Sequence, residues 1–213
     1  MPFFGPQNTK TPKHSSTMIV KASAITNLTD ARYFAAKEAA FLGFNLEAGT
    51  AGYLDPLYMK AIREWVEGPA IVGEFSSSPV SVVREAASFF GLDAVQVSTA
   101  YLDVLDQLSE LKVLLAIDAC QGLAAAEAAM AQAVGKAAYF ILDFSGCGPL
   151  AHDSAWAVLC GHYPILLHLD GPAESLQAAL ALLQPAGLSL SGGEEERVGV
   201  KSFDEIEEIF DWF

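Results

Sequence analysis

The sequence predicts an α/β protein, a single-domain (βα)8 or TIM barrel, and three observations carry that expectation. Short β-type runs recur at intervals of about 20 to 30 residues, each is followed by apolar residues at helical spacing, and eight such units fit a chain of 213 residues. Parallel strands with right-handed crossovers follow, and eight units close into a barrel. An open doubly wound sheet is the main alternative, but the GxGxxG or Walker loop it often carries is absent from the sequence.

The first unit is the clearest. Ile19, Val20 and Ala22 make an apolar run ending at Ser23, Thr26 or Asn27 is placed to cap a helix, and Leu28, Ala31, Ala35 and Ala39 recur at helical spacing before the strand Phe41 to Asn45. The alternation then continues through a helix near Asp55 to Val66, strand Ala70 to Glu74, helix Val80 to Phe90, strand Ala94 to Val97 and helix Leu102 to Leu108. Next come strand Lys112 to Ile117, helix Ala124 to Val134, strand Ala138 to Leu142, helix Ser154 to Leu159 and strand Pro164 to His168. Helix Glu174 to Leu183, strand Gly187 to Leu190 and a last helix Phe203 to Phe210 complete the series.

With 52% hydrophobic residues the chain can bury one sizeable core, and its apolar runs are too short to span a bilayer. A formal charge of −14 argues against a nucleic-acid partner, because phosphate neutralisation needs clustered Lys and Arg. Cys120, Cys147 and Cys160 show no CxxC or Cys/His ligand spacing, so the expectation is reduced thiols, no structural disulfide and a cytoplasmic location. Residues 1–17 hold three prolines and no apolar signal segment, and read as a flexible leader ahead of the barrel at 18–213.

In such barrels chemistry sits on the loops that follow the strand C-termini. Ser23, Asn45, Glu47, Glu74, Gln96, Asp118, Asp143, His168, Asp170 and Ser191 close the expected strands. Asp118, Asp143, His168 and Asp170, with Glu47 or Glu74, offer oxygen and imidazole ligands to a divalent cation, but polar residues gather at any barrel mouth, and no metal or other cofactor is expected.

The segment from Lys21, Lys-Ala-Ser-Ala-Ile-Thr-Asn-Leu-Thr-Asp-Ala, resembles the opening Lys-Ile-Cys-Gly-Ile-Thr-Asn-Leu-x-Asp-Ala of phosphoribosylanthranilate isomerase. The resemblance covers essentially Met18 to Phe213. It implies a barrel that performs an Amadori rearrangement in tryptophan biosynthesis, with a small sugar phosphate as ligand and no cofactor. Asp143, closing Tyr-Phe-Ile-Leu-Asp, matches the family's general acid; the alternative is that it caps the following loop. Ser23 stands where the family has its catalytic cysteine, and Ala24 replaces the glycine after it. A serine hydroxyl is a far poorer base than a thiolate near neutral pH, so Ser23 is either a weakened catalytic residue or a small polar filler.

Other positions depart as well. Gly52 occupies the place of the arginine that grips the anthranilate carboxylate, a loss of about 3 kcal/mol for charges ~5 Å apart at an effective dielectric near 20. Around Gly146, Cys147, Gly148 and Pro149 the loop keeps glycines but not the family's lysine. Ser191, Gly192 and Gly193 resemble the family's phosphate cradle, with a purely structural turn as the alternative, and Glu194 follows at once. Asp170 replaces one of the paired glycines near the phosphate position. Gln96 matches a family glutamine and is either a substrate contact or a bridge between strand ends. Lys21 is either a ligand contact or the partner of an interior carboxylate such as Glu74. The expectation is a diverged member whose isomerase activity is lost or very low; an active isomerase or a repurposed sugar-phosphate or metal-assisted enzyme are the alternatives. Oligomeric state is not legible.

Overall fold

The computed structural model describes residues 18–147, 154–192, 195–197, 200–201 and 203–212. Eight parallel strands close in sequence order into a barrel: β1 Ile19–Ser23, β2 Phe41–Asn45, β3 Ala70–Phe75, β4 Ala94–Ser98, β5 Lys112–Asp118, β6 Tyr139–Asp143, β7 Ile165–His168 and β8 Gly187–Ser191. Closure is made by β1 against β8, where Ile19 pairs with Gly187 and Ser23 with Ser191. Residues 1–17, the expected leader, lie outside the described residues.

Side chains alternate between two apolar environments, as a strand period of two requires. Phe41, Val72, Ala94, Leu114, Ile141 and Leu166 fill the lower lumen as one cluster. The intervening residues, such as Leu42, Val95, Leu115, Leu142 and Leu167, face outward into the larger core beneath the helices. Above this cluster the strands bring buried polar groups together, among them Lys21, Glu74 and Ser189.

The outer ring is α1 Leu28–Ala36, α2 Pro56–Arg63, α3 Val80–Phe90, α4 Leu123–Ala133, α5 Ser154–His162, α6 Ala173–Leu183 and α7 Asp204–Phe210. Asn27 caps α1 by accepting from the Asp30 amide at 2.9 Å, and Asp55 caps α2 ahead of Pro56.

Three expectations need correction. The helix expected over Leu102 to Leu108 is a 3-10 segment, Thr99–Leu108, which still buries Tyr101, Leu105 and Leu108. Spacings of three and four bury the same side chains in either helix, so the apolar pattern does not separate them. A short antiparallel pair, β9 Glu195–Arg197 with β10 Val200–Lys201, follows the barrel where no strand was expected. Cys120 and Cys147 are disulfide-bonded, and Cys160 is a buried free thiol, against the expectation of reduced thiols throughout. The pair is 27 residues apart in sequence, and β5 and β6 bring it together because Asp118 and Asp143, just before the two loops, are register partners.

Candidate functional site

The mouth of the barrel is organised around a buried ammonium. Lys21 is fully enclosed, its Nζ 2.5 Å from Glu74 Oε1 and 2.6 Å from Ser23 Oγ. Glu74 also accepts from the Ala24 amide at 3.1 Å, and Ser23 Oγ lies 2.7 Å from Ser189 Oγ. Gly43 makes the pairing of Lys21 with Glu74 feasible, since a Cβ there would meet Glu74 Oε1 at 2.0 Å. Ala24 keeps a left-handed backbone, φ 51°, where the isomerase motif has glycine. Lys21 is thus the partner of an interior carboxylate.

This arrangement defines what Ser23 can do. A lysine ammonium only donates, so Ser23 Oγ accepts from it and its own proton is directed elsewhere. A hydroxyl accepting from a cation is a poorer proton acceptor than a free one. The contacts with Lys21 and Ser189 hold Ser23 in place as a small polar side chain.

Asp143 closes β6, half-buried, and its Oδ1 accepts from the Ser145 amide at 2.8 Å and the Ser145 hydroxyl at 2.6 Å. It therefore caps the loop, which leaves its part in acid chemistry to its environment. Its register partner on β7 is His168. His168 Nδ1 is 2.7 Å from the Ser189 carbonyl oxygen, and because a carbonyl only accepts, Nδ1 carries the hydrogen. In the neutral ring Nε2 is then the lone-pair nitrogen.

The remaining carboxylates are mostly committed to protein donors. Glu47 receives the Ser76 and Ser77 amides at 2.7 and 2.8 Å and the hydroxyls of Ser76, Ser77 and Ser78. Burial raises its carboxyl, but the Ser76 and Ser77 donors outweigh that and hold it at about 2. Asp118 accepts from the Cys120 amide and the Gln121 side chain, both at 2.9 Å. Among the described residues, the close group with metal-ligand atoms is Asp118, Cys120 and Cys147, and its two sulfurs are bonded to each other. The residues weighed as a divalent-cation set are not assembled into one.

Gln96 Oε1 is buried with no hydrogen-bond partner among the described residues, so it does not bridge strand ends through that oxygen. Asp170 and Ser191 are exposed at the ends of β7 and β8. Gly192 stands against α1: a Cβ there would lie 2.4 Å from Asp30 Oδ2. Gly193 lies outside the described residues, as do Gly148 and Pro149 in the loop after β6. On the second loop, Asn45 Nδ2 donates to Thr50 Oγ1 and the Ala51 carbonyl, and Gly52 has φ 73°. Backbone shape as well as side chain therefore distinguishes this loop, because φ in that range disfavours an arginine. Sequence reasoning missed Ser189, although its period-two position between Gly187 and Ser191 marked it as facing the lumen.

No protein-family model matches the chain, and no curated protein does. Solved structures do. Phosphoribosylanthranilate isomerase from Thermus thermophilus is 28% identical, with 91% of this chain and 97% of that chain covered and a TM-score of 0.71. The enzyme from Thermococcus kodakaraensis superposes over the same shares at 20% identity and a TM-score of 0.73. That from Thermotoga maritima is 22% identical, covering 89% of this chain and 95% of that one, with a TM-score of 0.70.

Proposed function

We propose that this phosphoribosylanthranilate isomerase-like barrel is a diverged member of that family in which the Amadori isomerisation of N-(5'-phosphoribosyl)anthranilate is lost or very slow. One observation carries the reading: at the position where the family places its basic cysteine, Ser23 accepts a hydrogen bond from the Lys21 ammonium, 2.6 Å away. The family reaction needs a base to take the sugar C2 proton while an acid protonates the ring oxygen. In this reading Asp143, which matches the family's acid, would serve the second task, while Ser23, accepting from a cation, would serve the first poorly. Gly52 adds the loss of the carboxylate anchor. Missing groups of this kind remove several orders of magnitude in rate together. A small sugar phosphate remains the expected ligand class, with Ser191 and Gly192 at its phosphate end and Gln96 Oε1 as an acceptor in the lumen. The protein belongs in this reading to the cytoplasm, without a nucleic-acid or membrane partner.

Purified protein assayed with N-(5'-phosphoribosyl)anthranilate should show no turnover above buffer, and the gene should fail to rescue an isomerase-deficient tryptophan auxotroph. Robust rescue defeats the reading.

A second reading is favoured by one contact, the His168 Nδ1–H donation to the Ser189 carbonyl. It fixes Nδ1 as the protonated nitrogen of the ring, and His168 is the register partner of Asp143. Such a pair suits proton abstraction next to a carbonyl or imine on a small sugar phosphate, a repurposed activity on the same face. Turnover of any such substrate should fall at least ~100-fold in His168→Gln; turnover unchanged in His168→Gln rules this reading out.

A further inference from the structure

The disulfide joins the loops after β5 and β6, the second of which Asp143 opens. Cys120 is exposed in the three-residue 3-10 turn Ala119–Gln121 after β5, and Cys147 is half-buried in the turn after β6. Each half is separately fastened. Asp118 holds the Cys120 amide at 2.9 Å; on the other side, the Cys147 amide donates to the Phe144 carbonyl at 3.1 Å, and between them Ser145 makes both of its bonds to Asp143 Oδ1. Cys120 Sγ also approaches the Ser145 carbonyl at 3.8 Å.

The sheet already brings these loops together, because Asp118 and Asp143 pair in register beneath them. A cross-link between points that the barrel itself holds close constrains the fold less than it constrains the turn it lies in. We propose that Cys120 and Cys147 are a reversible thiol–disulfide site, exchanging with thiols of the glutathione type, and that its oxidation state sets how firmly the turn carrying Ser145 is held on Asp143.

Cys120, exposed where Cys147 is half-buried, is the half we assign to attack. A thiolate from the reductant bonds to Cys120 Sγ, the Cys120–Cys147 bond breaks, and Cys147 leaves as a thiolate that takes up a proton. A second reductant thiolate then attacks the mixed disulfide at the reductant's own sulfur and releases Cys120, which is protonated. Two electrons and two protons pass to the protein, and two reductant thiols become one disulfide. Cys160 stays outside the exchange: it is buried, and burial pushes its thiol up to about 11. In a cytoplasm, disulfides are mostly of this transient, sensing kind.

The test uses the full chain equilibrated in glutathione buffers of graded ratio, quenched by alkylation and mapped by peptide mass spectrometry. The Cys120–Cys147 linkage is expected to appear and disappear reversibly, leaving Cys160 free throughout. Hydrogen exchange at the Ser145 and Cys147 amides should quicken by ~10-fold or more on reduction, while Cys147→Ser and Cys120→Ser each show the fast rate in both buffers. Three results overturn the proposal: no linkage even in glutathione disulfide, a linkage that a dithiol cannot reduce in the folded protein, or exchange at Ser145 indifferent to redox state. Reduced protein that takes up one zinc ion and then resists oxidation would also overturn it, and would assign Asp118, Cys120 and Cys147 to a metal instead.

Discussion

Lys21 Nζ and Glu74 Oε1 meet 2.5 Å apart in the barrel lumen, and they do so over the bare backbone of Gly43. Lys21 is fully buried and Glu74 nearly so, so the pair is desolvated and its value depends on both members being present. Lys21→Met, which leaves a buried carboxylate unpaired, is expected to cost roughly 3–5 kcal/mol in denaturant unfolding. The double variant with Glu74→Leu should recover most of that. A double variant no more stable than Lys21→Met would show that the charges are not coupled.

Gly43→Ala brings a methyl to 2.0 Å from Glu74 Oε1 and 2.7 Å from Lys21 Nζ. Both members of the ion pair must shift to admit it. The substitution should destabilise by about as much as deleting the lysine, and thermal melting beside Lys21→Met compares them directly.

Glu47 makes stability sensitive to acid. Its carboxyl falls from an ordinary value of 4.5 to about 2 in the folded protein. A depressed folded-state value means that the unfolded chain binds the proton first as pH falls. The contribution is therefore complete above about 4.5 and is lost between there and about 2. Its size is on the order of 2–3 kcal/mol. Glu47→Gln should flatten the pH dependence of unfolding free energy in that window; an unchanged slope would mean the serine loop does not hold the charge.

Ser23→Cys returns a thiol to the base position without disturbing a larger neighbour. If the missing base is the main defect, phosphoribosylanthranilate turnover should rise from background by ~100-fold. It should remain far below that of an intact isomerase, because Gly52 supplies no cation. The companion Gly52→Arg is expected to add little, since φ 73° at that residue disfavours a side chain.

Gly192→Ala puts a methyl 2.4 Å from Asp30 Oδ2, at the start of α1 and beside the expected phosphate end of the mouth. Both stability and any phosphate affinity should fall together, read by thermal shift with and without inorganic phosphate. A phosphate response that survives intact would move the anion site away from β8.

Alternating strand and helix patterns made the barrel legible before any coordinates, because a period of two and a period of 3.6 are local properties of the chain. They placed β1 through β8 within a residue or two, and they put Ser23, Asp143 and Ser191 at strand ends. The same reasoning left Lys21 between a ligand contact and a carboxylate partner such as Glu74, and the closed barrel decided for Glu74. Thr99–Leu108 was misread because its buried side chains suit an α-helix and a 3-10 helix equally.

What sequence alone determined was the order of elements and which residues differ from the isomerase motif at the mouth, each a matter of residue identity at a local pattern. Tertiary structure alone decided what those residues touch. Barrel closure set Ser189 beside Ser23 and under His168, surrounded Glu47 with three serines from the next loop, and joined Cys120 to Cys147. These contacts connect neighbouring strands whose side chains meet only once hydrogen-bond register is fixed, and register is a property of the closed sheet that no stretch of sequence carries by itself.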